Sequence, residues 1–149
     1  MAITTKLDKD LSNKILIMPS ITFYGALMAL FQLADLPEGQ RLQSVFPQST
    51  MIHYAHDHEN VVMDMIFQIN DVTFNAVLLA LVQLADTDNL AKLERCFPDV
   101  VMEAKIRYLA PGACVSAKEW IATYPEDAAN VDTEYLESLF DTARAKAGA

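Results

Sequence analysis

At 149 residues, with 52% apolar and 21% charged side chains, the chain has the material for one packed core, which excludes a disordered linker or tail. A formal charge of −9 and a pI near 4.6 repel phosphate, so direct nucleic-acid binding and attachment to an anionic membrane surface are not expected. The longest apolar stretch, around residues 21–33, is interrupted by Gln32 and is too short to span a bilayer, and the polar start of the chain shows no signal peptide. A reducing, cytoplasmic setting is the expectation.

Residues 1–13 are polar and charged and read as a loose arm or a frayed helical turn. Lys14 to Met18 is a short apolar run ended by Pro19, the pattern of a strand. Ser20 is positioned as an N-cap, and the periodicity predicts a helix from about Ile21 to Ala34. Asp35 and Glu38 have capping-box spacing, with Pro37 in the first turn, which predicts a second, short helix ending near Phe46. Pro47 follows, and its preceding Phe is expected to plug the core. Thr50 to Ala55 and Val61 to Ile69 then read as two strands joined by a hairpin tip at residues 56–60.

The stretch from Ile21 to Pro47 returns at Val72 to Pro98, offset by 51 residues without a gap, with 12 of 27 positions identical. Unrelated segments would share roughly two such positions on ordinary residue usage. The second copy therefore predicts a helix from about Val72 to Ala85 with Asp71 as its cap, then a short helix capped by Thr87 or Asp88 and ending near Phe97. Val100 to Leu109 alternates between apolar and polar residues, as a half-buried strand does. Beyond Pro111 and Gly112, Ser116 and Glu119 form a capping box for a helix carrying Trp120, which Pro125 ends. A last helix starts near Asp132, with Tyr135, Leu136, Leu139, Phe140 and Ala143 on one face.

The fold class expected from this pattern is α+β, a β-α-α-β unit occurring twice about a pseudo-two-fold axis, with a largely antiparallel sheet and helices mainly on one face. The units span 14–57 and 61–109 of a single domain, with a helical extension over 113–149. The alternative is an all-α bundle, because short apolar runs fit either period. The two copies differ in charge. Residues 21–71 hold six acids against Arg41 alone, whereas residues 72–110 hold five acids against four bases.

Candidate chemistry is sparse. His53, His56 and His58 lie in one short stretch beside Asp57 and Glu59, and imidazole with carboxylate suits zinc and related metals. Their spacing matches no established motif, and a solvated tip is the plainer reading. Cys96 and Cys114 form no CxxC pair, and Cys96 falls where the first copy has Val45, so a buried free thiol is expected there. Cys114 and Ser116 would need a histidine brought to them to act as nucleophiles. With four glycines and no phosphate-binding loop, the sequence implies no cofactor. Gln32 and Gln83 are the polar residues retained inside the two apolar helices. They either point outward near the helix ends or bond across the pseudo-axis.

The absence of a catalytic constellation, the surplus of apolar helix surface and the acidic exterior point to a non-catalytic protein-binding regulator, adaptor or assembly factor. The alternatives are a metal-binding protein or metal-dependent enzyme using His53, His56 and His58, and an acidic mimic of nucleic acid. A homodimer is also expected, with its seam on the C-terminal helix.

Overall fold

The computed structural model describes residues 2–54 and 56–149, of which 76% are helical and none lies in a strand. The α+β expectation is thereby overturned in favour of the all-α alternative. Two four-helix units follow one another. The first comprises α1 (Lys6–Leu16), α2 (Phe23–Leu33), α3 (Leu36–Val45) and α4 (Gln48–Tyr54). The second comprises α5 (Asp57–Phe67), α6 (Phe74–Leu84), α7 (Thr87–Cys96) and α8 (Pro98–Leu109). A 3-10 turn at Pro111–Ala113 leads to α9 (Ala117–Thr123), α10 (Pro125–Ala128) and α11 (Thr133–Ala147).

No stretch read as a strand is one: each is helical over most of its described length, with Ile17, Met18, Gln68 and Ile69 in the turns after α1 and α5, and Ala55, at the end of one stretch, lies outside the described residues. In α8 the buried residues are Val100, Val101, Ala104, Ile106 and Arg107, which follow a helical stripe and cut across the apparent alternation. In α5, Val62 and Ile66 are buried one turn apart, while Val61 and Phe67, placed inward by a period of two, are exposed. Lys14 to Leu16 is the last turn of α1. The prolines also changed roles. Pro98 sits in the first turn of α8, and the Pro47 carbonyl accepts the Thr50 and Met51 amides that open α4.

The polar arm is corrected as well. Thr5 and Asp8 form a capping box at the start of α1, and that helix buries Asp8, Lys9, Leu11, Ser12 and Ile15. The repeat unit accordingly begins at the cap of α1, and its twin begins at His56. Ser20 and Asp71 are not the caps of α2 and α6. Both adopt left-handed backbone at φ 61°, and the capping oxygens come from Thr22 and Thr73 two residues later. Asp86, not Thr87 or Asp88, caps α7, as its equivalent Asp35 caps α3.

The two units are interleaved. α1 packs most extensively on α6, and its twin α5 packs on α2; α2 meets α6, and α3 meets α7. The apolar all-round helices α2 and α6 are thus covered by each other and by the first helix of the opposite unit. Gly25 shows how close this is: a Cβ there would lie 2.6 Å from the Val62 side chain on α5. Phe46 and Phe97 plug the core as expected, 1% and 5% exposed, against Phe23 and Phe74 of their own copies. Each ring also receives a cation from the other copy. Arg41 lies 5.9 Å from the centre of Phe97, and Lys92, its equivalent, lies 5.5 Å from Phe46.

The extension is attached mainly to the second unit. α11 lies on α8 and α9, burying Leu136, Phe140, Ala143 and Ala147, with Cys114 and Ala117 in the same small cluster. The apolar stripe expected to form a dimer seam is therefore used within the chain, and of its members only Tyr135 stays exposed. No helix among the described residues is long and apolar enough to cross a membrane.

Candidate functional site

The most conspicuous polar constellation is built around Arg107, only 1% exposed. All five guanidinium N–H groups are used. Nε donates to Thr4 Oγ1 at 2.9 Å, while Nη2 donates to the Thr4 carbonyl and Glu119 Oε1 at 2.8 Å. Nη1 donates to the Ala113 carbonyl and Glu119 Oε2, both at 2.8 Å. On the other side, Glu103 accepts the Ile3 and Thr4 amides and the Thr4 hydroxyl. The chain Glu103–Thr4–Arg107–Glu119 ties the first residues to α8 and α9. Burial pushes the Glu119 carboxyl up, but the Arg107 N–H groups and the Val115 amide outweigh it and hold the group below its usual 4.5. With all five donors engaged, the Arg107 guanidinium acts as a structural clamp.

Burial has also silenced the thiols. Cys96 is pushed up to about 11, and its sulfur hydrogen bonds to the Lys92 carbonyl. Cys114 is raised by burial and by the neighbouring Glu119 carboxylate. Ser116, the other nucleophile candidate, uses its hydroxyl to accept the Glu119 amide.

The histidines sit at the junction of the two units, not on a hairpin tip. His53 lies in the last turn of α4, His56 is the N-cap residue of α5, and His58 lies in the first turn of α5. All three are exposed, and the His58 ring lies 3.1 Å from the Ser20 carbonyl. No three histidine, cysteine or carboxylate side chains converge as a metal site among the described residues.

The repeat itself points to a different place. Of its twelve identical positions, eleven have a structural use. Thr22 and Asp35 cap helices; Ala34 follows the end of α2; Pro47 opens α4; Phe23, Leu27, Ala29, Leu30, Leu33, Leu42 and Phe46 pack in the core. The twelfth pair is Gln32 and Gln83. Both point outward and neither is hydrogen-bonded among the described residues, so the cross-axis reading does not hold. Each instead lines a groove on its own copy.

The groove of the first copy lies between α2, α3 and α4 and encloses about 330 Å3. Met28, Phe31, Phe46, Met51 and Ile52 supply its apolar surface, and Gln32, Gln43 and Gln48 supply its polar lining. Ile52 is 68% exposed. The groove beside Gln83 is built from α6, α7 and α8, but α11 contributes one wall through Lys146 and Ala147. Val82 replaces Phe31, and Lys105 and Lys146 make this second groove cationic where the first has no charged lining residue. Sequence periodicity could not find either groove, because α4 and α8 were read as strands. The retained glutamine was the available signal. Compared with protein-family models, curated proteins and solved structures, the chain matches none.

Proposed function

We propose that this is a non-catalytic protein-binding module, a regulator, adaptor or assembly factor that engages its partner through the first-copy groove. The observation that carries this reading is the glutamine retained in both copies with no structural use, placed each time at the wall of a groove. An amide both donates and accepts, so it suits recognition of peptide groups. The apolar surface of the first groove is supported by two methionines, side chains that adapt to irregular partners. The fully engaged Arg107 and the raised thiols leave the described residues without an evident acid, base or nucleophile.

The test is affinity capture from the native cell with wild type and Ile52→Gln side by side. A stoichiometric partner held by wild type and lost by the variant supports the reading. A partner held equally by both would move the binding surface elsewhere. Recovery of no partner, together with turnover of a small molecule by the purified chain, would refute it.

A further inference from the structure

We propose that Lys9 is an acylation site, its amine accepting the acyl group of an activated donor of the thioester class. Lys9 lies in α1 and is only 9% exposed, a rare placement for a lysine with no counter-charge. Among the described residues no acceptor takes a bond from its Nζ. The nitrogen still reaches water, since Glu59 Oε2 is the one unpartnered side-chain atom sealed from solvent among the described residues. The methylene stem is therefore buried and the amine sits at the surface above it. The repeat does not demand a lysine here, because the equivalent position in the other copy is Asn60, which is exposed.

The charged groups around Lys9 are cations. Lys6 stands three residues earlier, on the same face of α1. Arg107 reaches Thr4, just before α1, through Nε and Nη2. Both neighbours already hold a carboxylate, Lys6 that of Asp10 and Arg107 that of Glu119. Lys9 is left with like charges and no acid. Burial first, then the Arg107 and Lys6 charges, hold its amine below the usual 10.5, whereas the Asp10 carboxylate holds the Lys6 amine above it. Desolvation and a neighbouring cation are two conditions that make a lysine nucleophilic. The same field selects the modification, since a methyl group keeps the charge and an amide removes it. The Lys9 lone pair attacks the thioester carbonyl carbon. The C–N bond forms, the C–S bond breaks, the thiolate leaves, and the proton shed by nitrogen passes to water. Lys9 reacts once and keeps the group, so it is an acceptor and not a catalyst.

The test incubates the full chain with acetyl-coenzyme A and reads the initial acetylation rate of each lysine by peptide mass spectrometry. Lys14, exposed in the last turn of α1, is the comparison. Lys9 should acetylate at least about threefold faster than Lys14 in the folded chain at mildly alkaline pH. The two rates should converge in concentrated urea, where the burial and the cation cluster are gone. The pH midpoint of the Lys9 rate should lie lower in the folded chain than in urea. A second readout follows the charge itself. Lys9→Gln, which resembles the neutral product, should melt above Lys9→Arg, which keeps the charge. A Lys9 rate equal to or below that of Lys14 overturns the proposal. So does an advantage that persists in urea, because local sequence and not the fold would then cause it. A pH midpoint unmoved by folding, or a Lys9→Arg melt at or above that of Lys9→Gln, overturns it as well. The rates are measured on wild type and decide the matter even where a variant fails to fold.

Discussion

Replacing Arg107 with methionine should remove about 3–5 kcal/mol of stability, the cost of leaving one half of a buried ion pair behind. Methionine fills much of the same space, so the loss is electrostatic and not a cavity effect. The structure identifies what is stranded. Glu119, whose side chain is 19% exposed, keeps the Val115 amide and the neighbouring Cys114 thiol but loses both guanidinium donors. The Thr4 and Ala113 carbonyls lose the guanidinium, and the Thr4 hydroxyl loses the Nε donor while still giving its proton to Glu103. Against a total of about 5–15 kcal/mol for a domain of ordinary stability, this is a large fraction. It corresponds to a fall in Tm of roughly 6–20 °C, at about 2–4 °C per kcal/mol for a chain near this size. Urea unfolding followed by circular dichroism measures the loss, and the double variant Arg107→Met, Glu119→Leu separates pairing from desolvation. Removing both charges should recover more than half of what the single variant loses. A single-variant cost below about 1 kcal/mol would mean that the pair behaves as a solvated surface bridge, and the clamp argument would fail.

Phe46→Ala and Phe97→Ala should each cost about 3–5 kcal/mol, because both rings are buried in equivalent places; denaturant midpoints that differ by more than half would show that equivalent position no longer means equivalent packing. Glu119 is depressed in the folded state, so its contribution to stability is complete above the ordinary 4.5 and is lost as pH falls through the lower folded value. Glu119→Gln should therefore lower stability at neutral pH and flatten its decline below pH 4.5, and an acid limb identical to wild type would contradict the sign. Replacing His53, His56 and His58 together by alanine should change stability by no more than about 0.5 kcal/mol per exposed site. A melt of wild type raised by several degrees with added zinc, and not raised in the triple variant, would instead assign those histidines to a metal.

The duplication was legible because it is a statement about sequence alone, and the offset of 51 survives intact: α5, α6 and α7 start and stop 51 residues after α1, α2 and α3. The capping box at Asp35, the Ser116 cap, the start of the last helix near Asp132 and the core phenylalanines were legible because each depends on a local pattern. The strands were misread for a physical reason. Val61 to Ile69 and Val100 to Leu109 are so rich in apolar residues that both periods find matches, and burial comes from partners distant in sequence. The caps that would have decided the matter are weak. His56 offers α5 no side-chain bond, and Phe97 offers α8 none, so both starts lack the usual signature. The Arg107 clamp was illegible because its partners, Thr4 and Glu119, lie on opposite ends of the chain from one another.

The interleaving explains which repeated residues were kept and which diverged. A helix that packs on the other copy must satisfy two neighbours at once, so α2 and α6 keep Leu27 and Leu78, Ala29 and Ala80, and Leu30 and Leu81 identical. The exchanged cations stay as Arg41 and Lys92 because each sits over the other copy's ring. Outer faces carry no such reciprocal demand. Ile52 and Glu103 occupy the same place in the repeat, yet Ile52 is exposed beside the open groove and Glu103 grips the residues before α1. Arg107 and α11 then complete the second unit's outer side, and the first unit is left with the apolar groove. The second copy holds the residues before α1 and carries α11, and the first leaves open the groove between α2, α3 and α4 that is proposed to bind a partner. Gln32 follows neither rule, since it is identical without being buried, and that exception is the reason for placing the partner at its groove.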